Sequence, residues 1–264
     1  MNQGDIKIPQ LEGKPAIKKL EGFIKDKVKL SGSSGVVLGL SGGIDSAVVA
    51  FLCQQALGPS KVLGLLLPSK TNTAQDLEHG QQVAEILKIE SEVINIDPLI
   101  EKFPLLCHHP PDEMTLANLK PRIRMMVLYY HANSLNRMVV GTGNRSELMM
   151  GYFTKFGDGG ADILPLGDLY KTQVWEIARL LGVPREIIDK SPSAGLWPGQ
   201  TDEKELGIDY ITLDKILHLM FDESLSPDLI AQKMDLPLQE IKRIKKRVNL
   251  SNHKINLPEI PLIR

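Results

Sequence analysis

Apolar positions along the chain follow two alternating rhythms. Over residues 14–29, Leu20, Phe23, Ile24 and Val28 recur at helical spacing and mark one apolar face. The run Gly35-Val36-Val37-Leu38-Gly39-Leu40 is short, unbroken and partly β-branched, as expected of a central strand buried on both sides. A helix over 45–57 follows, closed by Gly58-Pro59, and then a second buried strand over 62–67, stopped by Pro68. Residues 73–87 read as a helix capped by Asn72 or Thr73, and 93–96 as a third strand ended by Asp97-Pro98. A long helix spans about 114–132, bent or started near Pro121, and 138–141 forms a fourth strand.

Strands that alternate with helices imply a doubly wound α/β fold. Its sheet is mainly parallel, with right-handed crossovers and helices on both faces. Beyond the fourth strand the pattern changes. Residues 151–169 are rich in Gly, Asp and aromatics without a period, a length of irregular chain that usually carries function. A helix over 171–181 ends at Gly182, Pro184 opens a short one, and 191–207 is again loop-like. Residues 210–250 are helical with breaks near Ser226-Pro227 and Leu236-Pro237. The expected organisation is a helical segment at 1–34, an α/β core at 35–209 and a helical C-terminal extension at 210–264, together in one compact body. Two polar loops, after Leu40 and after Val140, leave strands at the carboxyl edge, where such sheets bind ligands.

Composition narrows the function classes. The 264 residues can bury a large core, and 42% apolar with 24% charged residues is an ordinary globular balance. A net charge of −1 argues against a broad nucleic-acid surface. Cys53 and Cys107 fit neither a disulfide framework nor a zinc pattern. No apolar run is long enough to span a bilayer and the start has no apolar signal core, so a soluble, cytoplasmic protein is expected. Cys107-His108-His109 reads as plain loop, because adjacent histidines rarely reach one metal. The tail from Ile230 to Arg247 resembles a helix-turn-helix with a basic second helix, but a solvated helix face suits the near-neutral charge better.

The loop Ser41-Gly42-Gly43-Ile44-Asp45-Ser46 carries the first chemistry. A strand that runs through two glycines into a helix aims several N–H groups and the helix's positive end at one small volume, which suits a phosphate. Asp45 beside an anion makes sense with a cation between them, which points to Mg²⁺. The same residues also suit a plain turn with Asp45 or Ser46 as the helix cap. It is not a Walker A loop, since no Gly-Lys-Ser/Thr follows. In the second polar loop, Gly141 to Glu147, Thr142 offers a hydroxyl and Glu147 a second carboxylate for the metal, against a plain cap by Asn144 or Ser146.

At the first loop the sequence resembles the ATP-pyrophosphatase group, which implies cleavage of ATP between the α and β phosphates to adenylate a substrate. Gly-Tyr-Phe-Thr-Lys-Phe-Gly-Asp-Gly-Gly-Ala-Asp ending at Asp162, Leu-Pro-Leu-Gly-Asp-Leu-Tyr-Lys ending at Lys171, and the stretch from Ser193 to Tyr210 resemble the NAD synthetase family. The resemblance covers nearly all of the chain after Gly35. It implies that Gly39, Leu40, Ser41, Gly42, Gly43, Ile44, Asp45, Ser46, Thr142, Lys171 and Ser193 bind ATP. It further implies that Asp45 and Glu147 hold Mg²⁺, and that Arg122, Lys155, Asp162, His253 and Lys254 face deamido-NAD. Lys171 and Mg²⁺-bound Asp45 then act as electrostatic stabilisers, with no covalent nucleophile. Ser193 stands where Thr is common, and Ile255 follows His253-Lys254 where a basic residue is common.

The implied reaction adenylates deamido-NAD with ATP and amidates it with ammonia, giving NAD⁺, AMP and pyrophosphate. The chain shows no room for a glutaminase domain, so free ammonia is the expected nitrogen source. The resemblance also implies a homodimer, with the helices around Arg122 as candidates for its surface. Two rivals stand beside this reading. One is another adenylating amide synthetase or a tRNA-modifying enzyme built on the same loop. The other is a nucleotide-binding module that performs no chemistry.

Overall fold

The computed structural model describes residues 6–197, 199–261 and 263. Helix α1 (Gly13–Ser31) leads into strand β1 (Gly35–Gly39), helix α2 (Ile44–Leu57) and strand β2 (Val62–Leu66). Helix α3 (Ala74–Leu87), strand β3 (Glu90–Val93), helices α4 (Asp97–Lys102) and α5 (Glu113–Leu135) and strand β4 (Arg137–Val139) follow. All neighbouring strands pair in parallel, in the order β3-β2-β1-β4.

Alternation along the inner strands explains the two layers of helices. Val36 and Leu38 join Ile24, Val28 and the α2 residues on one face, while Val37, Leu63 and Leu65 join Ile123 and Ala132 of α5 on the other. Helix α2 is buried almost all round, which is why it reads as a continuous apolar run rather than a stripe. Burial pushes the Cys53 thiol within it up to about 12, which fits a packed thiol rather than a reactive one.

Several elements differ in extent from the sequence-based expectation, the fourth strand among them at Arg137–Val139 rather than 138–141. The third strand is Glu90–Val93, not 93–96, and every residue in it is exposed. It lies at the sheet edge, where glutamates are tolerated and discourage further pairing. Ile94 and Ile96 donate to Leu66 O and Pro68 O just beyond it, and Ile96 packs into the core. The apolar residues were thus the strand's trailing anchor. Helix α5 starts at the Asp112 cap, whose side chain accepts from Thr115 N, and runs on with Pro121 inside it. Within the expected loop 191–207, helix α9 (Asp202–Leu206) forms a single turn closed by Gly207 in the left-handed region.

Helices α6 (Arg145–Met150) and α7 (Lys171–Leu181) flank the carboxyl edge, with α8 (Arg185–Ile188) after them. Helix α10 (Tyr210–Leu217), a π-helical turn (His218–Asp222), α11 (Pro227–Met234) and α12 (Leu238–Ile255) share a second apolar cluster with Met150 and Tyr170. The tail helices thereby pack against α6 and α7, the elements that carry the polar site residues. Helix α12 buries Ile241 and Ile244, while Lys242, Lys245 and Lys246 lie outside that face. Among the described residues no helix is long and apolar enough to cross a membrane.

Candidate active site

The sheet order reverses between β1 and β4, and the loops that follow those two strands open into one cavity of about 510 Å³. Gly43 precedes α2 in extended conformation with no side-chain cap, so the helix's first amides stay open to a ligand. Neither Asp45 nor Ser46 is the cap. Ser46 Oγ donates to Gly43 O (2.9 Å) and lies 3.0 Å from Ser41 Oγ, so the two hydroxyls brace the loop from within.

Gly42 is the residue this loop cannot exchange. Its φ is +74°, and a Cβ there would lie 2.0 Å from the backbone oxygen of Asp76. Replacement by alanine forces the loop and the start of α3 apart. If the loop grips ATP, as the resemblance implies, Gly42→Ala should reduce kcat/KM for ATP by about a hundredfold or more. Steady-state kinetics at varied ATP would check this, and a change below a few-fold would contradict it.

Three charged side chains converge at the floor. Lys171 Nζ, at the start of α7, pairs with Asp45 Oδ2 and lies 3.5 Å from Glu147 Oε1; its side chain is 1% exposed. Asn144 joins the two acids, since its Nδ2 donates to Asp45 Oδ1 (3.0 Å) while its Oδ1 accepts from Glu147 N (3.0 Å). Glu147 Oε2 accepts from Asn144 N in return, which completes a capping box. Asn144 is the cap of α6, and Glu147 closes the box with one oxygen while the other faces Lys171.

A buried relay fixes the lysine's origin. Lys171 N donates to Ser146 Oγ (3.0 Å), which donates to Asp214 Oδ1 (2.5 Å), and Asp214 Oδ2 accepts from Thr172 N (2.9 Å). Burial pushes the Asp214 carboxyl up to about 6, against the pull of the Ser146 and Thr172 hydrogen bonds. Burial also raises Glu147 well above the usual carboxylate range, with Asp45 adding to it and Lys171 opposing it. For Lys171, burial works against the charge, yet Asp45 and Glu147 outweigh it and hold the ammonium above its ordinary value. Two part-buried acids share one buried lysine, so the site can accommodate a further cation. Among the described residues no three His, Cys, Asp or Glu side chains group into a metal site. A hard cation here would draw its remaining oxygens from a ligand or water.

Gly39, Leu40, Ser41, Gly43, Ile44, Asp45, Ser46, Thr142, Glu147, Lys171, Ser193 and Lys254 all line the cavity, while Gly42 lies just behind it. Arg122, Lys155, Asp162 and His253 do not line it. Arg122 is exposed and donates to Lys155 O (3.4 Å). Lys155 Nζ donates to His253 O (2.5 Å), so these three form one patch beside the mouth. Asp162 accepts from Val139 N (2.7 Å) and from Tyr129 OH (3.0 Å), which ties the 151–163 segment to the end of β4. Lys254 Nζ holds Gly151 O and Phe153 O, so the tail clasps the same segment.

Arg124 is the inward-facing arginine of α5. It donates to Leu67 O (3.0 Å) and Asn72 Oδ1 (2.9 Å) from within the cavity wall. The spacing holds a signal for this, because Ala117, Lys120 and Arg124 fall on one face at helical intervals while Arg122 falls off it. Lys190 and Asp76 also line the cavity, as an ion pair at the glycine loop. No motif pointed to them. Cys107 and both neighbouring histidines are exposed.

A parallel α/β sheet with an open helix N-terminus, two acids and a lysine at its switch point defines a nucleotide-using enzyme class. The NAD synthase family model matches residues 16–258, and the chain belongs to that family. It is 48% identical over 251 residues to the NH(3)-dependent NAD(+) synthetase of Thermococcus kodakarensis, covering 95% of this chain and 98% of the relative. Among solved structures, the NMN synthetase of Francisella tularensis superposes with a TM-score of 0.85 at 40% identity, covering 96% of this chain and 99% of that one. The NH3-dependent NAD synthetase of Campylobacter jejuni, in complex with the nitrate ion, gives 0.81 at 32%, covering 96% and 100%.

Proposed function

We propose that the protein is an ammonia-dependent NAD⁺ synthetase that adenylates deamido-NAD with ATP and then amidates it. The observation that carries the reading is the meeting of an uncapped glycine loop with Asp45, Glu147 and Lys171 at one end of a cavity. Near-complete alignment with a relative named for this activity supports it.

In the first step the nicotinate carboxylate attacks the α-phosphorus of ATP, and the bond to the β-phosphate breaks. The amides of Ile44 to Ser46 hold the departing pyrophosphate, and the hydroxyls of Ser41, Thr142 and Ser193 orient the nucleotide. Lys171 neutralises charge that builds on the phosphates. Asp45 and Glu147 are the residues that would hold Mg²⁺, which when bound supplies further charge neutralisation to the phosphates. In the second step ammonia attacks the mixed anhydride, the new C–N bond replaces the C–O bond to AMP, and AMP leaves. Arg122, Lys155, Asp162, His253 and Lys254 are assigned to deamido-NAD, with the exposed patch around Arg122 meeting the part of it outside the cavity.

The test is turnover with ATP, Mg²⁺, ammonium and deamido-NAD, read as NAD⁺ and AMP. Absence of NAD⁺ alongside turnover of another acid removes the substrate assignment. The name of the Francisella neighbour gives a second reading, in which the acid is nicotinate mononucleotide. A parallel assay decides between the two by kcat/KM.

A homodimer is part of the same reading. Met126 and Tyr130 are exposed apolar residues on α5, the helix that carries Arg122, and Phe103, Leu105 and Leu106 are exposed in the segment before it. Light scattering that gives a monomer mass at micromolar concentration would remove this element.

A further inference from the structure

The strongest unassigned feature of the cavity is a second lysine at the glycine loop. Lys190 follows α8 and opens the segment that carries Ser193. Its Nζ pairs with Asp76 Oδ1 and lies 3.3 Å from Gly42 O. Both partners sit in the cavity wall, with side chains about one-fifth exposed (22% and 21%).

Asp76 is bound on every side. Its Oδ2 accepts from Thr73 N (2.7 Å) and its N donates to Thr73 Oγ1 (3.2 Å), which makes the capping box of α3. Its backbone oxygen is the atom that a Cβ on Gly42 would strike. The first turn of α3 is therefore seated directly on the left-handed residue of the loop. Lys190 is pinned across that seam, holding a side chain on one part and a carbonyl on the other. Burial works against the charge on Asp76, but Lys190 and Thr73 outweigh it and keep the carboxyl below its ordinary range.

An anion loop works only if its carbonyls point away from the ligand and its amides toward it. The Gly42–Gly43 peptide is held at both ends: Gly43 N donates to Ser41 Oγ (3.2 Å) inside the loop, and Lys190 is the donor that holds the Gly42 carbonyl from outside it. We infer that Lys190, acting through Asp76, is a positioning residue that orients the Gly42 peptide so that the loop can grip the leaving pyrophosphate. This rests on the reading of the loop as the pyrophosphate site, but not on the identity of the acid substrate.

Two substitutions separate positioning from direct contact. Lys190→Met and Asp76→Asn each break the pair, and the asparagine keeps an acceptor for the Thr73 cap. Positioning predicts that both weaken Mg²⁺-pyrophosphate binding, measured by calorimetry, by roughly ten- to a hundredfold. It also predicts that the double variant is no worse than either single one, and that Lys190→Arg restores most of the affinity. Adenosine affinity and thermal midpoint should stay close to those of the parent protein. If Asp76→Asn tightens pyrophosphate binding while Lys190→Met weakens it, the lysine is a direct ligand and the inference fails. It fails equally if neither variant changes pyrophosphate binding, or if adenosine affinity and thermal midpoint fall in parallel. Because pyrophosphate is the probe, the result stands apart from whether deamido-NAD is turned over.

Discussion

Glu147→Gln should cost about a hundredfold or more in kcat/KM while leaving the unliganded protein as stable as the parent or about 1 kcal/mol more so. The two effects have one cause. Burial and Asp45 hold the Glu147 carboxyl far above its ordinary range, so its charged form is disfavoured in the empty site. Glutamine keeps the oxygen that caps Asn144 N and discards that charge. The sign follows from linkage: a carboxyl raised on folding makes the empty protein less stable as pH climbs from the ordinary carboxylate range toward the raised value. A divalent cation competes with the same proton, so the affinity of the parent protein for Mg²⁺ should increase with pH and that of Glu147→Gln should vary less. Chemical denaturation without ligand, together with Mg²⁺ titrations at acidic and mildly alkaline pH, tests both halves. A variant that loses stability as well as activity would show Glu147 to be structural first.

Lys171→Met should behave in the opposite sense. Its removal leaves the part-buried Asp45 and Glu147 facing each other without a cation, a loss of about 1–3 kcal/mol because Glu147 can take up a proton. Activity should fall by about a thousandfold if Lys171 is the cation that meets the phosphates, as proposed. Added Mg²⁺ should then recover more stability in the variant than in the parent, because the acids no longer have a lysine between them. Thermal melts with and without Mg²⁺ measure this. Equal Mg²⁺ stabilisation of the two proteins would count against a shared cation site.

The sequence was most legible where one cause acted alone. Strands β1 and β2 are buried on both sides, so nothing but apolar residues suits them, and both were readable within a residue or so. Strand β3 is an edge whose glutamates carry no periodic signal, so the apolar residues after it drew the eye. The site shows the same division. Asp45 and Glu147 lie in the first turns of helices that open directly from short polar loops after strands, where a carboxylate stands out. Lys190 and Asp76 lie about 114 positions apart in unremarkable contexts, and only the folded chain makes them neighbours. The resemblance points to Arg122, whereas the helical face that carries Ala117 and Lys120 turns Arg124 inward.

The pairing of β1 with β4 brings Gly35 opposite Arg137, whereas β1 and β2 meet across a single helix. Contacts at such separation form late, because closing the intervening chain costs entropy before the contact is made. The glycine loop can thus be in place on a chain whose Glu147 and Lys171 have not yet arrived. Nucleotide with its metal should recognise only the finished assembly, and so favour the last docking event of folding over the partly built sheet. Refolding in the presence of ATP and Mg²⁺ should accordingly raise the yield of native protein. The catalytic centre would then report that synthesis of the domain is complete.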